Sequence, residues 1–317
     1  MTVMHRVAFA ALAWIVGSSG GAQAAWPERT IQLVVPFPAG GGVDVLAPPF
    51  AEILGELLHQ SVVVLTRDGA SGTIGTGVVA AAKPDGYTLA FTPNGPITIQ
   101  AHVIPTLSYK PEQLTPLCQV FAVQYVLAVR PDSPYRTLRD FMAAAQAQPG
   151  KLTYGFGGVA TSPHLAMSQL AIVADANFLG VPFRGDPQAI VALKAGEIDS
   201  AMLNVGGAQA QGFRALAAFA ETRSPEAPDT PTVKEQGYPV SGSAFGGLLA
   251  PKGLPADIAK KIDAACEKVV ADERFRRAAR QASQEPVYRN SADFAAALAA
   301  DYAIKGDVVK RAGIRAP

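Results

Sequence analysis

Short aliphatic, β-branched runs recur along this chain, and a stretch of helical periodicity separates each from the next. The first is Ile31–Val35 (IQLVV), followed by a helix over Phe50–Leu58 and a second strand over Ser61–Leu65. A helix over Thr73–Ala82 then stops at Lys83-Pro84-Asp85-Gly86, a strong turn sequence, and Tyr87–Thr92 is a third strand. A β-α-β-α-β order predicts a parallel sheet covered by helices, because strands joined through a helix return in the same direction. The rhythm resumes with a strand at Tyr125–Val129, a helix at Leu138–Gln148, a strand at Leu152–Gly155 and a helix at His164–Ala174. It continues with a strand at Phe178–Val181, a helix at Pro187–Ala195 and strands at Ser200–Leu203 and Phe213–Ala220. The C-terminal part reads as helices over Ala256–Ala271, Glu273–Gln281 and Ser291–Ala312. Two α/β units with a ligand crevice between them is a common binding architecture.

With 317 residues, 49% of them hydrophobic and 17% charged, the chain has ample material for two cores. A net charge of +1 without like-charge blocks gives no support for a nucleic-acid partner. At the N-terminus His5 and Arg6 precede a short apolar run, Val7–Val16, and then Ala22-Gln23-Ala24. That order is a secretory signal peptide with cleavage after Ala24; the run is too short for the ~30 Å of a bilayer core. The mature chain is expected outside the cytoplasm. The two cysteines, Cys118 and Cys266, lie far apart and form no framework, so the expectation is two small buried apolar side chains rather than a bridge. No cysteine or histidine spacing suits a metal, and no cofactor is expected.

The residues at the strand ends carry the functional signal. In open α/β sheets, ligands lie beyond the carboxyl ends of the strands. There this chain places Pro36-Phe37-Pro38-Ala39-Gly40-Gly41-Gly42-Val43-Asp44, then Thr92-Pro93-Asn94-Gly95-Pro96, then Gly155–His164 (GFGGVATSPH). Glycine lets the backbone approach a ligand, and successive free N–H groups make an anion site, helped by a helix N-terminus. Taken singly, the first loop is equally a tight strand-to-helix turn. In the third loop Ser162 is expected as N-cap and Pro163 as first helical residue. Pro48-Pro49 falls inside the helix that should follow Gly42, so residues 43–47 are expected to form a separate turn or a kinked first turn.

Catalytic motifs are scarce. There is no G-x-S-x-G elbow, P-loop or H-E-x-x-H. Gly75-Thr76-Gly77-Val78-Val79-Ala80 matches G-x-G-x-x-A, but Asp85 follows too soon to meet a ribose, and helix packing is the reading adopted. Ser162 and His164, two apart at a helix start, do not face each other, which disfavours a Ser/His hydrolase with Asp44.

Longer stretches carry a family resemblance. They are WPERTIQLVVPFPAGGGVD (26–44), VVAAAKPDGYTLAF (78–91), PGKLTYGFGG (149–158), SPHLA (162–166), VPFRG (181–185), LKAGEID (193–199), RSPEAPDTPTVKEQGYP (223–239) and GLLAPKGLP (247–255). In this order the chain resembles the Bug/TctC-type receptors, the extracytoplasmic solute-binding proteins of tripartite tricarboxylate transporters. The resemblance implies a type II periplasmic-binding-protein fold: two α/β lobes joined by two crossing strands, with the ligand cleft between them. Implied boundaries are 1–24 for the signal peptide, 25–125 for the first part of lobe 1, 126–245 for lobe 2 and 246–317 for the return to lobe 1. The crossings are expected near Tyr125–Val129 and Phe245–Ala250. The implied ligand is a dicarboxylate or aromatic acid, the implied location is the periplasm, and the implied partners are a large and a small membrane subunit serving a monomeric receptor that is not an enzyme.

Carried over residue by residue, the first-lobe grip is Phe37, Ala39, Gly40, Gly41 and Asp44, supported by Thr92 and Asn94. The second-lobe grip is Gly157, Gly158, Thr161, Ser162 and His164, with Arg184 and Asn204 nearby. Phe37 packs either on an apolar ligand body or in the core, and Arg184 either faces the ligand or belongs to a turn. The chain departs from the family at Pro48-Pro49, at Gly155-Phe156-Gly157-Gly158, where serines are usual, and at Leu203, where the family often has an acid able to meet a ligand amine. The last departure predicts a poor fit for amino acids. The rival readings are a receptor signalling to a membrane kinase, a secreted hydrolase, and a degenerate receptor that binds nothing.

Overall fold

The computed structural model describes residues 26–38, 42–240, 242 and 244–315. The expected signal peptide and three of the expected ligand residues, Ala39, Gly40 and Gly41, lie outside the described residues. The first half of the first lobe runs β1 (Ile31–Val35), α1 (Gly42–Leu58), β2 (Val62–Thr66), α2 (Thr73–Ala80) and β3 (Thr88–Pro93). Two short helices, α3 (Gly95–Thr98) and α4 (Gln100–Val103), lead to β4 (Leu114–Val123). The second lobe is β5 (Tyr125–Val129), α5 (Leu138–Ala147), β6 (Thr153–Gly157), α6 (Ser162–Ala174), β7 (Leu179–Phe183), α7 (Asp186–Ala195), β8 (Ser200–Asn204), α8 (Val205–Ala210) and β9 (Arg214–Phe219). The chain then returns through β10 (Ala244–Pro251), α9 (Ala256–Ala271), α10 (Glu273–Gln281), β11 (Glu285–Arg289) and α11 (Ser291–Ala312).

These elements build a six-stranded sheet ordered β11-β4-β10-β3-β1-β2 and a five-stranded sheet ordered β7-β6-β8-β5-β9. The β-α-β segments are parallel, as their sequence predicts: β2 and β3 flank β1, and β7 and β8 flank β6, all in one direction. The remaining pairings are antiparallel, so each sheet is mixed rather than parallel throughout. The cause is topological. β5 enters the second lobe from the first and β10 enters the first from the second, so each runs against both of its neighbours in its sheet. One residue, Gln124, separates β4 in the first sheet from β5 in the second.

Each lobe has its own core. In the first, Phe50, Phe91, Phe121 and Phe275 form a chain of tilted and edge-on rings with centroids 5.0 to 5.9 Å apart. In the second, Phe141, Met142, Phe219 and Leu170 pack between α5, α6 and the sheet. A fully buried ring of this size contributes roughly 1.5–3 kcal/mol.

Two expectations are overturned here. Helix α1 runs from Gly42 to Leu58 through Pro48 and Pro49, so residues 43–47 are its first turns rather than a separate turn. The prolines remove two N–H donors, yet Leu46, Ala47, Phe50, Ile53 and Leu54 are buried along the same helix. That packing outweighs the lost hydrogen bonds. Cys118 of β4 and Cys266 of α9 are not separate apolar side chains; they form a disulfide, their Cα atoms 6.4 Å apart across 148 residues of sequence. The pairing arises because α9 packs on β4, a strand the sequence pattern does not reveal. A third reading holds. A Cβ on Gly75 would lie 2.5 Å from the Arg67 carbonyl oxygen and 2.8 Å from the Pro36 side chain, so the G-x-G-x-x-A match is close helix packing.

Candidate functional site

The carboxyl ends of β1 and β3 face those of β6 and β7 across a cavity of about 180 Å³ between the lobes. Its first-lobe wall holds Phe37, Ser71, Asn94, Ile99 and Gln100. Its second-lobe wall holds Gly157, Ala160, Thr161, Ser162 and Asp186. Tyr125 and Ala244, at the starts of the strands next to the two crossings, also line it. A larger crevice of about 310 Å³ beside Gln124, Arg276, Arg280 and Gln284 contains none of the glycine-rich strand ends.

On the second-lobe side, Thr161 rather than Ser162 is the N-cap residue of α6, and its extended backbone places Ser162 and Pro163 in the first turn. The Thr161 hydroxyl donates to the Gly158 carbonyl at 2.8 Å, closing the loop on itself. This corrects the expected capping role of Ser162. The Ser162 side chain is buried, lines the cavity and makes no hydrogen bond among the described residues. Near it lie the first N–H groups of α6, which have no acceptor within the helix and carry its positive dipole end.

His164 stands behind this loop. Its ring stacks on Phe156 with centroids 4.4 Å apart, and its Nδ1 accepts the Ala160 N–H at 3.1 Å. Burial pushes its pKa down to about 4, so the ring is neutral at pH 7. It shapes the loop and is not among the cavity-lining residues.

Asn94 is buried and its groups are engaged. Its Nδ2 donates to Asp301 at 2.7 Å, its Oδ1 accepts from the Phe245 N–H at 3.4 Å, and its own N–H donates to the Phe245 carbonyl at 2.7 Å. Asp301 in turn lies 4.0 Å from the buried Lys305 ammonium. Thr92 is fully buried beneath the wall, with its hydroxyl donating to the Pro93 carbonyl. Asp44 sits half-buried in the first turn of α1, outside the lining. Gly158 takes a φ of 96° just behind the lining residues. Arg184 is exposed and its N–H is held by Gln188; it does not line the cavity. Asn204 caps α8 by accepting the Gly207 N–H at 2.7 Å, and its Nδ2 donates to Asp186 at 3.0 Å.

The structure thus brings together Phe37, Asn94, Gly157, Thr161 and Ser162, and sets Asp44, Thr92, Gly158, His164, Arg184 and Asn204 outside the wall itself. It also adds residues the sequence reading missed. Gln100 reaches across the cleft, its Nε2 donating to the Ala160 carbonyl at 2.9 Å. The Tyr125 hydroxyl is buried, which raises its pKa, with Asp186 adding to the shift. Asp186 is the one carboxylate among the described lining residues, and burial raises its pKa against the opposing pull of Asn204. The signal for it was present: Gly185-Asp186-Pro187 follows β7 as the other loops follow their strands. Leu203, by contrast, is fully buried in the core. The predicted poor fit for amino acids rested on Leu203 standing where the family often has an acid; the structure puts a different acid, Asp186, in the lining.

Comparison with known proteins gives a consistent result. The family described as "Tripartite tricarboxylate transporter family receptor", TctC, matches residues 47–314. A UPF0065 protein of Bordetella pertussis is 33% identical over 269 residues, covering 83% of each chain. A TctC solute binding protein from Polaromonas, solved without ligand, superposes with a TM-score of 0.82 at 29% identity, covering 90% of this chain and 100% of its own. A Rhodopseudomonas palustris protein solved with adipate gives 0.78 at 28%, covering 92% and 99%. MatC from the same organism, with bound malate, gives 0.74 at 27%, covering 90% and 100%.

Proposed function

Because the chain belongs to the tripartite tricarboxylate transporter family of receptors, we propose that it captures a small organic carboxylate in the cleft between its lobes and delivers it to a membrane transporter. The observation that carries this reading is the Ser162 hydroxyl, without a hydrogen-bond partner among the described residues, in the lining of an interlobe cavity beside the first N–H groups of α6. Hydroxyl and main-chain amides replace water around an anion without needing a cation. Adipate and malate in two structural neighbours are ligands of the same chemistry.

In this reading the first 24 residues direct export to the periplasm, and the disulfide suits that oxidising compartment. Ligand contacts from both lobes favour a closed arrangement, with the movement confined to residues near Gln124 and the return to β10. The closed receptor then docks on the large and small membrane subunits. A Ser162/His164 hydrolase is disfavoured because His164 Nδ1 already accepts the Ala160 N–H and its ring is held against Phe156, so it does not serve Ser162 as a base.

A thermal-shift screen of dicarboxylates and aromatic acids on the mature protein tests the proposal. A ligand at 100 times its dissociation constant adds about 2.7 kcal/mol, so at least one acid should raise the melting temperature saturably. No shift with any carboxylate would refute it.

A further inference from the structure

We propose that Asp186 makes this cleft select carboxylates that also carry a protonated amine over amine-free acids of the same skeleton. The inference rests on the carboxylate-receptor reading above and departs from the adipate and malate of the neighbours, neither of which has an amine.

Asp186 opens α7 directly after β7 and lines the cavity. Asn204 is its hydrogen-bonding neighbour among the described residues, donating to Oδ2 at 3.0 Å. Asn204 cannot turn away, because its own Oδ1 holds the Gly207 N–H as the cap of α8. A carboxylate has about four acceptor sites, so capacity remains on the cleft side. Gly157 keeps that side accessible: a Cβ there would lie 3.2 Å from Asp186 Oδ1, where only a hydrogen now stands.

The charge balance gives the selectivity. Among the described residues lining the cavity there is no lysine, arginine or histidine, and Asp186 is the one carboxylate. Behind the opposite wall Asp301 lies 4.0 Å from the Lys305 ammonium, whose charge burial disfavours, so no strong positive field reaches the cleft from that side. Arg184 points to solvent. The carboxylate of a ligand finds donors at the start of α6. A second anionic end near Asp186 would meet an uncompensated like charge, whereas an ammonium would find an acceptor with no competing cation. Burial already penalises ionised Asp186, and an ammonium partner would relieve that penalty.

Calorimetry on the mature protein with matched pairs decides the matter: aspartate against succinate, glutamate against glutarate, and 4-aminobutyrate against butyrate. The expected result is a pair whose amino member binds at least tenfold more tightly. Asp186→Asn should erase that preference while leaving the amine-free member bound as well as before or better. Amine-free acids binding as tightly as their amino counterparts, or tighter, would overturn the inference and leave the receptor reading standing. A preference that survives in the Asp186→Asn protein would overturn it equally. Absence of binding by every acid, amino or plain, would overturn both. The wild-type ranking alone decides if the variant does not fold.

Discussion

The side-chain amide of Gln100 in the first lobe donates to the main-chain carbonyl of Ala160 in the second, at 2.9 Å and out of contact with water. Around it, Ile99 and Val103 from one lobe and Ala160 and Leu165 from the other share an apolar seam with Val308 and Val309 of α11. Under the proposed hinge closure, this bond forms only when the lobes meet. A neutral hydrogen bond is worth about 1 kcal/mol. Gln100→Ala should therefore weaken ligand binding about fivefold, measured by calorimetry, and expand the ligand-free protein in small-angle scattering. Unchanged values for both would show that the seam holds without it.

Ser162→Ala is expected to weaken carboxylate binding by ~1 kcal/mol, the value of one neutral hydrogen bond. Because Thr161 occupies the N-cap position, the same change should leave the urea midpoint nearly unmoved. A variant with unaltered affinity and reduced stability would assign Ser162 to the helix rather than to the ligand.

Acid should expose the burial of His164. Its folded pKa lies near 4, below the ordinary 6.5, so the unfolded chain takes up the proton first. Stability from this group is complete above about pH 6.5 and is lost as pH falls towards 4. Linkage gives a loss of about 2 kcal/mol between pH 7 and pH 5. Denaturant titrations of wild type and His164→Gln at both pH values should show a smaller drop in the variant. Equal drops would mean that the ring titrates normally.

Replacing both cysteines, Cys118→Ala with Cys266→Ala, should lower stability by roughly 2–5 kcal/mol, since the bridge closes a long loop in the unfolded chain. Equilibrium unfolding of the oxidised wild type against the double variant measures it, and coincident curves would contradict it.

Sequence periodicity located the helices Ala256–Ala271, Glu273–Gln281 and Ser291–Ala312 residue for residue, because each has a defined boundary: Pro255 before the first, Asp272 capping the second, Asn290 capping the third. It missed β4, where Pro116, Cys118 and Gln119 break any alternation and Leu117–Phe121 are buried without interruption. The disulfide was hidden with it. Of the site, the strand-end loops were legible because glycine and proline mark them. Gln100 and Tyr125 were not, since each owes its place in the cleft to tertiary packing. Ser162 was placed one position off in the cap because serine outranks threonine as a cap residue by type, whereas the backbone puts Thr161 there.

The bond between Cys118 and Cys266 spans every strand of the second sheet, from Tyr125 to Phe219. That lobe is therefore a covalent ring threaded through a single neck, its entry and exit riveted to one partner. Under the proposed closure, the lobe would turn against a frame whose two pieces are already fastened, so rotation at the neck would leave the fastening of the opposite jaw intact.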